Sequence, residues 1–132
     1  MISHVFVGVN DFASAMRFYQ AVLPELGLEL KFSDPEKPWA GWMTPGQPRP
    51  LFLVGAPHDG AAASAGNGNM IALLAPTRVA VDRTFHAALQ AGASSEGAPG
   101  LRPHYHADYY GAYFRDPDGN KIALCCHDPV AP

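Results

Sequence analysis

Apolar residues alternate with other types from the start of the chain. Val5, Val7 and Val9 interleave with His4, Phe6 and Gly8, the period-two pattern of a strand over 2–9. The run stops at Asn10-Asp11, whose side chains cap helix N-termini by accepting from free backbone amides. From Phe12 onward Ala15, Met16, Tyr19, Val22, Leu23 and Leu26 recur at helical spacing, and Gly27 stands where a left-handed C-terminal residue is wanted. Pro24, in the last turn, predicts an early end or a kink. Short strands are predicted at 28–32, 39–43 and 51–54, between clusters of Pro, Gly and Asp.

The same order then recurs. A stretch rich in Ala, Gly and Asn over 60–68 reads as a linker, and 70–75 as a strand. Thr77 caps a second helix, with Val81, Phe85, Ala88 and Leu89 on one face and Gly92 beyond its end. Strands follow at 93–96, 109–115 and 121–126, the last two joined through Asp116-Pro117-Asp118-Gly119-Asn120, a strong turn signal. His4 and Met70 hold matching places, as do Gly27 and Gly92. Their offset of about 65 residues exceeds solenoid periods, so duplication of a βαβββ unit accounts for it better. The duplication shows in element order rather than in residue identity. It divides one domain into a module over about 1–58, a linker over about 59–67 and a module over about 68–132.

Composition narrows the setting. With 132 residues, 48% of them hydrophobic, the chain can bury a core of its own. The net charge is -3, and Lys and Arg are scattered singly without a basic stripe, so nucleic acid is not an expected partner. No apolar run approaches the roughly 20 residues needed to cross a bilayer, and the N-terminus lacks a signal-peptide layout. A cytoplasmic protein with no membrane partner is expected. Cys125 and Cys126 are neighbours on a strand and point to opposite faces, so both are expected as free thiols in a reducing compartment.

Several segments, taken in order, carry a resemblance. They are the opening Ile2-Ser3-His4-Val5, the helix residues Arg17-Phe18-Tyr19 with Leu26-Gly27-Leu28, the strand Met70-Ile71-Ala72-Leu73, and the closing run from Tyr113 through Asp116-Pro117-Asp118-Gly119 to Ile122. Over nearly its whole length the chain resembles the vicinal oxygen chelate superfamily, which includes glyoxalase I, extradiol dioxygenases and bleomycin- and fosfomycin-resistance proteins. The resemblance implies an α+β fold of two tandem βαβββ modules whose sheets curl around a cleft, commonly in a homodimer. It does not imply one activity, because this scaffold hosts isomerisation, ring cleavage, epoxide opening and drug binding.

In many members a divalent ion is held by a His on the first strand, a His on the fifth and a Glu on the eighth. Carried over by position, these become His4, Met70 and Ala123. A thioether is a soft, weak donor and alanine supplies none. The expected function is therefore binding of a small organic molecule in the cleft, with no cofactor. The alternative is a lyase, isomerase or dioxygenase using Ni, Mn, Fe or Zn, held by His4 with substitute ligands. A third reading is a metal-free enzyme with His4 or Tyr105 as general acid or base.

The remaining chemistry gathers in Arg102-Pro103-His104-Tyr105-His106-Ala107-Asp108-Tyr109-Tyr110, which resembles the loop entering the seventh strand of a glyoxalase-like subgroup. His104 and His106 point the same way if this stretch is extended. Three readings stay open for them: metal binding with His4 or Cys125, contact with a substrate, or ordinary loop histidines. Cys125 shares strand parity with Ala123, so it reads either as a cleft-facing soft ligand or nucleophile, or as a small buried core residue. Trp39, Trp42 and Tyr110 are candidates for lining a groove suited to a flat or apolar ligand. The expected ligand-contacting set is His4, Trp42, Met70, Arg102, His104, Tyr105, His106, Tyr110, Ala123 and Cys125. His58 and His86 receive no role, and Asp116 to Asn120 reads as a turn and not as a site.

Overall fold

The structure is a computed structural model that describes residues 1–130. The predicted end of the second module, at 132, lies outside them. Strand β1, His4–Gly8, leads into helix α1, Phe12–Val22. Asp11 caps the helix by accepting from the Ser14 amide at 3.0 Å. Pro24 ends the α-helix: the chain tightens into a 3₁₀ turn, Leu23–Leu26, and leaves it through Gly27 at φ 79°. Strands β2 (Glu29–Asp34), β3 (Trp39–Thr44) and β4 (Gln47–Gly55) complete the first module. The second module has β5 (Ile71–Leu74), α2 (Arg78–Gln90), β6 (Ser94–Leu101), β7 (Tyr110–Arg115) and β8 (Lys121–Cys126). The Thr77 hydroxyl caps α2, accepting from the Ala80 amide at 3.0 Å.

Each module forms a four-stranded mixed sheet of one topology, β1-β4-β3-β2 and β5-β8-β7-β6. The first strand of each runs parallel to the last, and hairpin partners run antiparallel. Two strands are at least four residues longer than the pattern predicts. β4 begins at Gln47 rather than 51, because Pro48 and Pro50 lie where it pairs with β3 alone; its ladder with β1 starts at Leu51. β6 continues through Gly97 and Pro99 to Leu101 as an outer strand, its ladder interrupted by irregularities on both sides of Gly97.

Strand parity divides each sheet into two faces. Val7, Trp42, Phe52 and Val54 of the first sheet and Ala112, Phe114, Ile122, Leu124 and Cys126 of the second share one buried cluster with both helices. Helix α1 joins the sheets, since Tyr19 packs on Trp42 and Phe52 while Phe18 meets Phe114 edge-on at 6.1 Å. Burying each such ring stabilises the fold by about 2–3 kcal/mol. Trp42 is thus corrected from groove wall to core: its register opposite Phe52 places it on the helix-covered face, where it is 1% exposed.

The predicted turn at Asp116 to Asn120 also clasps the modules together. The buried Asp116 carboxylate accepts from the Tyr19 hydroxyl at 2.6 Å, from the Asp118 and Asn120 amides at 2.9 Å and from Asn120 Nδ2 at 3.0 Å. Asn120 Nδ2 also donates to the Gly8 carbonyl at 2.9 Å, and the Asn10 amide donates to Asp118 at 3.0 Å. The Asn10 side chain pairs in both directions with the backbone of Ala63, fastening the linker. Among the described residues β1 and β2 of the first sheet and β5 and β6 of the second each pair with one strand only, leaving two edges open on each sheet. No described helix is long and apolar enough to cross a membrane.

Candidate functional site

A groove of about 720 Å³ opens on the face of the second sheet that α2 does not cover. Its walls include Met70, Glu96, Arg102, His104, Tyr105, Tyr109, Tyr113, Arg115 and Lys121. Parity along β7 sends Tyr113 and Arg115 to this face and Phe114 to the core. Glycines make the arrangement possible. A Cβ on Gly111 would lie 2.8 Å from Cε1 of Tyr109, so only glycine lets that ring lie across β7 as it does. Cβ atoms on Gly97 and Gly100 would come within 3.3 Å and 3.1 Å of the Arg102 guanidinium, which uses the bare backbone of β6 as its bed.

Arg102 donates from Nη2 to the Ala98 carbonyl at 2.8 Å, and its guanidinium carbon lies 5.6 Å from the centre of the Tyr113 ring. Lys121 Nζ lies 5.7 Å from the same centre. Both cations are drawn to the negative face of the phenol ring. Arg115 is held differently, ion-paired to Glu96 and donating to the Gly119 carbonyl at 2.9 Å.

Beneath these groups the Tyr109 hydroxyl lies 3.0 Å from the Tyr113 hydroxyl and 3.0 Å from Cys125 Sγ. Burial, then the hydrogen bonds to Cys125 and Tyr113, push the Tyr109 phenol well above its ordinary pKa, so it stays protonated. Cys125 faces the groove side of its strand but is buried under Tyr109, while Cys126 joins the core; both are free thiols.

The structure brings together Met70, Arg102, His104 and Tyr105 of the expected set and separates the others. The chain at 102–109 turns instead of extending, with the Tyr105 amide on the Arg102 carbonyl at 3.0 Å and the Tyr109 amide on the His106 carbonyl at 3.2 Å. His104 and His106 therefore diverge. The His104 ring packs at a tilt against Tyr105 in the groove, centroids 4.2 Å apart, and His106 turns to His127, their ring nitrogens 2.8 Å apart. Tyr110 points the other way and donates to Asp82 of α2 at 2.6 Å, a bond that raises its pKa.

His4, Met70 and Ala123 do not meet in one cavity of the described chain. His4 is exposed on β1 with Nδ1 2.9 Å from the Ser3 hydroxyl, Ala123 is wholly buried in β8, and only Met70 lines the groove. The groove is lined by residues of the second module alone, His4 is exposed at the first position of β1, and the Ala123 side chain is covered within its own sheet. Among the described residues no three His, Cys, Asp or Glu side chains gather for a metal. Tyr109, Tyr113, Arg115 and Lys121 were missed as site residues, although Lys121 and Tyr113 share the parity of Ala123 across the β7–β8 ladder. A second groove, of about 700 Å³, lies on the first sheet, where Phe6, Lys37, Trp39 and His58 are among its walls.

The sequence profile of the Glyoxalase/Bleomycin resistance protein/Dioxygenase superfamily matches residues 1–124. The chain belongs to this superfamily. A glyoxalase/bleomycin resistance protein from Albidiferax ferrireducens T118 is 34% identical, covering 96% of this chain and 98% of that one, with a TM-score of 0.86. A glyoxalase-related enzyme from Fulvimarina pelagi, at 19% identity over 100% of this chain and 91% of its own, has a TM-score of 0.73. A lactoylglutathione lyase from Agrobacterium tumefaciens, at 21% identity over 96% and 92%, has a TM-score of 0.65. The last two share the fold. No curated protein matches the chain. Superfamily membership and the two-module α+β fold accord with the sequence reading, while the scaffold leaves the activity to the site.

Proposed function

We propose that this superfamily member binds a small organic molecule in the groove of its second module, without the divalent metal held by many members. The observation that carries the reading is the donor set at the positions that correspond to the family's metal ligands, an imidazole at His4, a thioether at Met70 and a methyl group at Ala123, which do not gather in one cavity of the described chain. About three protein ligands are the norm even where a catalytic metal keeps an open position, and a thioether binds Mn(II), Fe(II), Ni(II) or Zn(II) weakly. These residues do not fit the ion. Nor do the substitutes converge, since His106 faces His127 and Cys125 lies under Tyr109. The groove supplies what metal-free binding needs, namely concavity, aromatic walls and a few polar groups.

The reading extends to a homodimer. The open edges of β1 and β5 stand beside Phe6, Met70 and Leu74, which are 46%, 46% and 73% exposed, and a second copy is the partner that would cover them. A reducing, cytoplasmic setting suits the two free thiols.

Calorimetric titration of tag-free protein with Mn(II), Fe(II), Ni(II) and Zn(II) tests the metal-free part. No stoichiometric micromolar binding is expected; such binding, abolished by His4→Ala, would refute it. A fragment screen observed by NMR tests the binding part, with shifts expected at the amides of Tyr109, Tyr113 and Lys121. Sedimentation velocity reports the dimer.

A further inference from the structure

We infer that the groove of the second module selects a planar aromatic carboxylate, held at its anionic end by Arg102 and Lys121 and along its ring by Tyr105 and Tyr109. The inference rests on the proposed small-molecule reading and adds the ligand's chemical class. Its first ground is charge. Arg102, Arg115 and Lys121 stand against one carboxylate, Glu96, which Arg115 already pairs. Among the described residues no carboxylate lies within ion-pair distance of Arg102 or Lys121. The chain as a whole carries a net charge of -3, so two cations without a carboxylate partner against one phenol ring mark a local reversal of sign. An anion placed there gains charge-assisted hydrogen bonds.

The second ground is the proton count in the tyrosine cluster. Tyr109, Tyr113 and Cys125 carry one O–H or S–H proton each, and only two contacts join them. One proton is therefore left over. Either group of each contact can donate, and a carboxylate selects the arrangement in which Cys125 donates to Tyr109 and Tyr109 to Tyr113, which frees the O–H of Tyr113, a groove wall beside both cations. The third ground is shape. Tyr105, 61% exposed, lies 4.8 Å from the Tyr109 ring and 4.2 Å from the His104 ring, an open aromatic shelf next to the charged end.

Calorimetry on the full chain with 2-naphthoate, its neutral isostere 2-naphthamide and the cationic 2-naphthamidine tests the inference, with amide shifts at Tyr109, Tyr113 and Lys121 locating the site. The carboxylate is expected to bind about tenfold more tightly than the amide, and the amidine most weakly. Arg102→Gln and Lys121→Gln should each weaken naphthoate by about tenfold and naphthamide by much less, with thermal melts verifying that both variants fold. If amide and carboxylate bind equally, or the amidine binds best, the ligand class is wrong while the small-molecule reading stands. If none of the three shifts the groove amides, the inference falls. A fragment screen that also leaves those amides unmoved takes the broader reading with it.

Discussion

Replacing Asp116 with alanine tests the clasp between the modules most directly. The carboxylate is 4% exposed and accepts four hydrogen bonds, from the Tyr19 hydroxyl, the Asp118 amide, and the amide and side chain of Asn120. A hydrogen bond to a charged group contributes about 1.5–3 kcal/mol net, and a buried donor left without a partner costs about 1–3 kcal/mol. The turn amides can turn to water once the carboxylate is gone, so their loss is discounted. Tyr19, 1% exposed between Trp42 and Phe52, cannot. The expected cost of Asp116→Ala is about 3–4 kcal/mol, and that of Tyr19→Phe about 2 kcal/mol. The pair should couple by about 1.5–2 kcal/mol in a double-mutant cycle, because each substitution deletes the same 2.6 Å contact. Urea unfolding followed by circular dichroism and by tryptophan fluorescence measures these values, and coincident curves would justify two-state treatment. In a thermal scan Asp116→Ala should lower Tm by about 10 °C. A loss under about 1 kcal/mol, or additive effects of the two substitutions, would refute the clasp as a stabilising contact.

Further outcomes follow from the same geometry. Burial, and then the neighbouring Asp116, hold the Tyr19 phenol well above its ordinary value of 10.0, so the unfolded chain sheds this proton first. The associated stability is complete below about pH 10 and is lost as pH rises beyond it, and the fall in urea midpoint should be shallower in Tyr19→Phe. Gly111→Ala places a Cβ 2.8 Å from the Tyr109 ring and should dislodge its bonds to Cys125 and Tyr113, seen as a changed Tyr109 ring resonance at a cost of about 1–3 kcal/mol; an unmoved resonance contradicts it. Gly41→Ala meets Phe32 Cε1 at 2.6 Å and Leu53 Cδ2 at 2.9 Å on the open face of the first sheet, and a loss of about 1–3 kcal/mol is expected in urea melts.

Local chemistry was enough to read the elements. Asp11 and Thr77 cap their helices because a short side-chain oxygen reaches a free amide three residues on, a contact that needs no distant partner. Pro24 and Gly27 end the first helix for reasons within their own backbones, and parity alone sends Cys125 and Cys126 to opposite faces. The duplicated element order likewise carried the two-sheet plan and the superfamily.

The site was legible only in part, because its chemistry depends on which segments meet. Parity put Tyr113 and Lys121 on the face of Ala123, yet nothing local told that the groove would be lined by the second module alone and leave His4 outside it. Trp42 and Tyr110 carry groove-suited side chains, and only their cross-strand and helix neighbours, Phe52 and Asp82, decide that one is core and the other a strut. Asp116 reads as a turn residue until Tyr19, 97 positions earlier, closes on its carboxylate. Caps, breaks and parity are settled by atoms a few residues apart. Exposure, proton placement and the company of a charge depend on contacts between distant segments, and those form only when the helices and both sheets condense around one core.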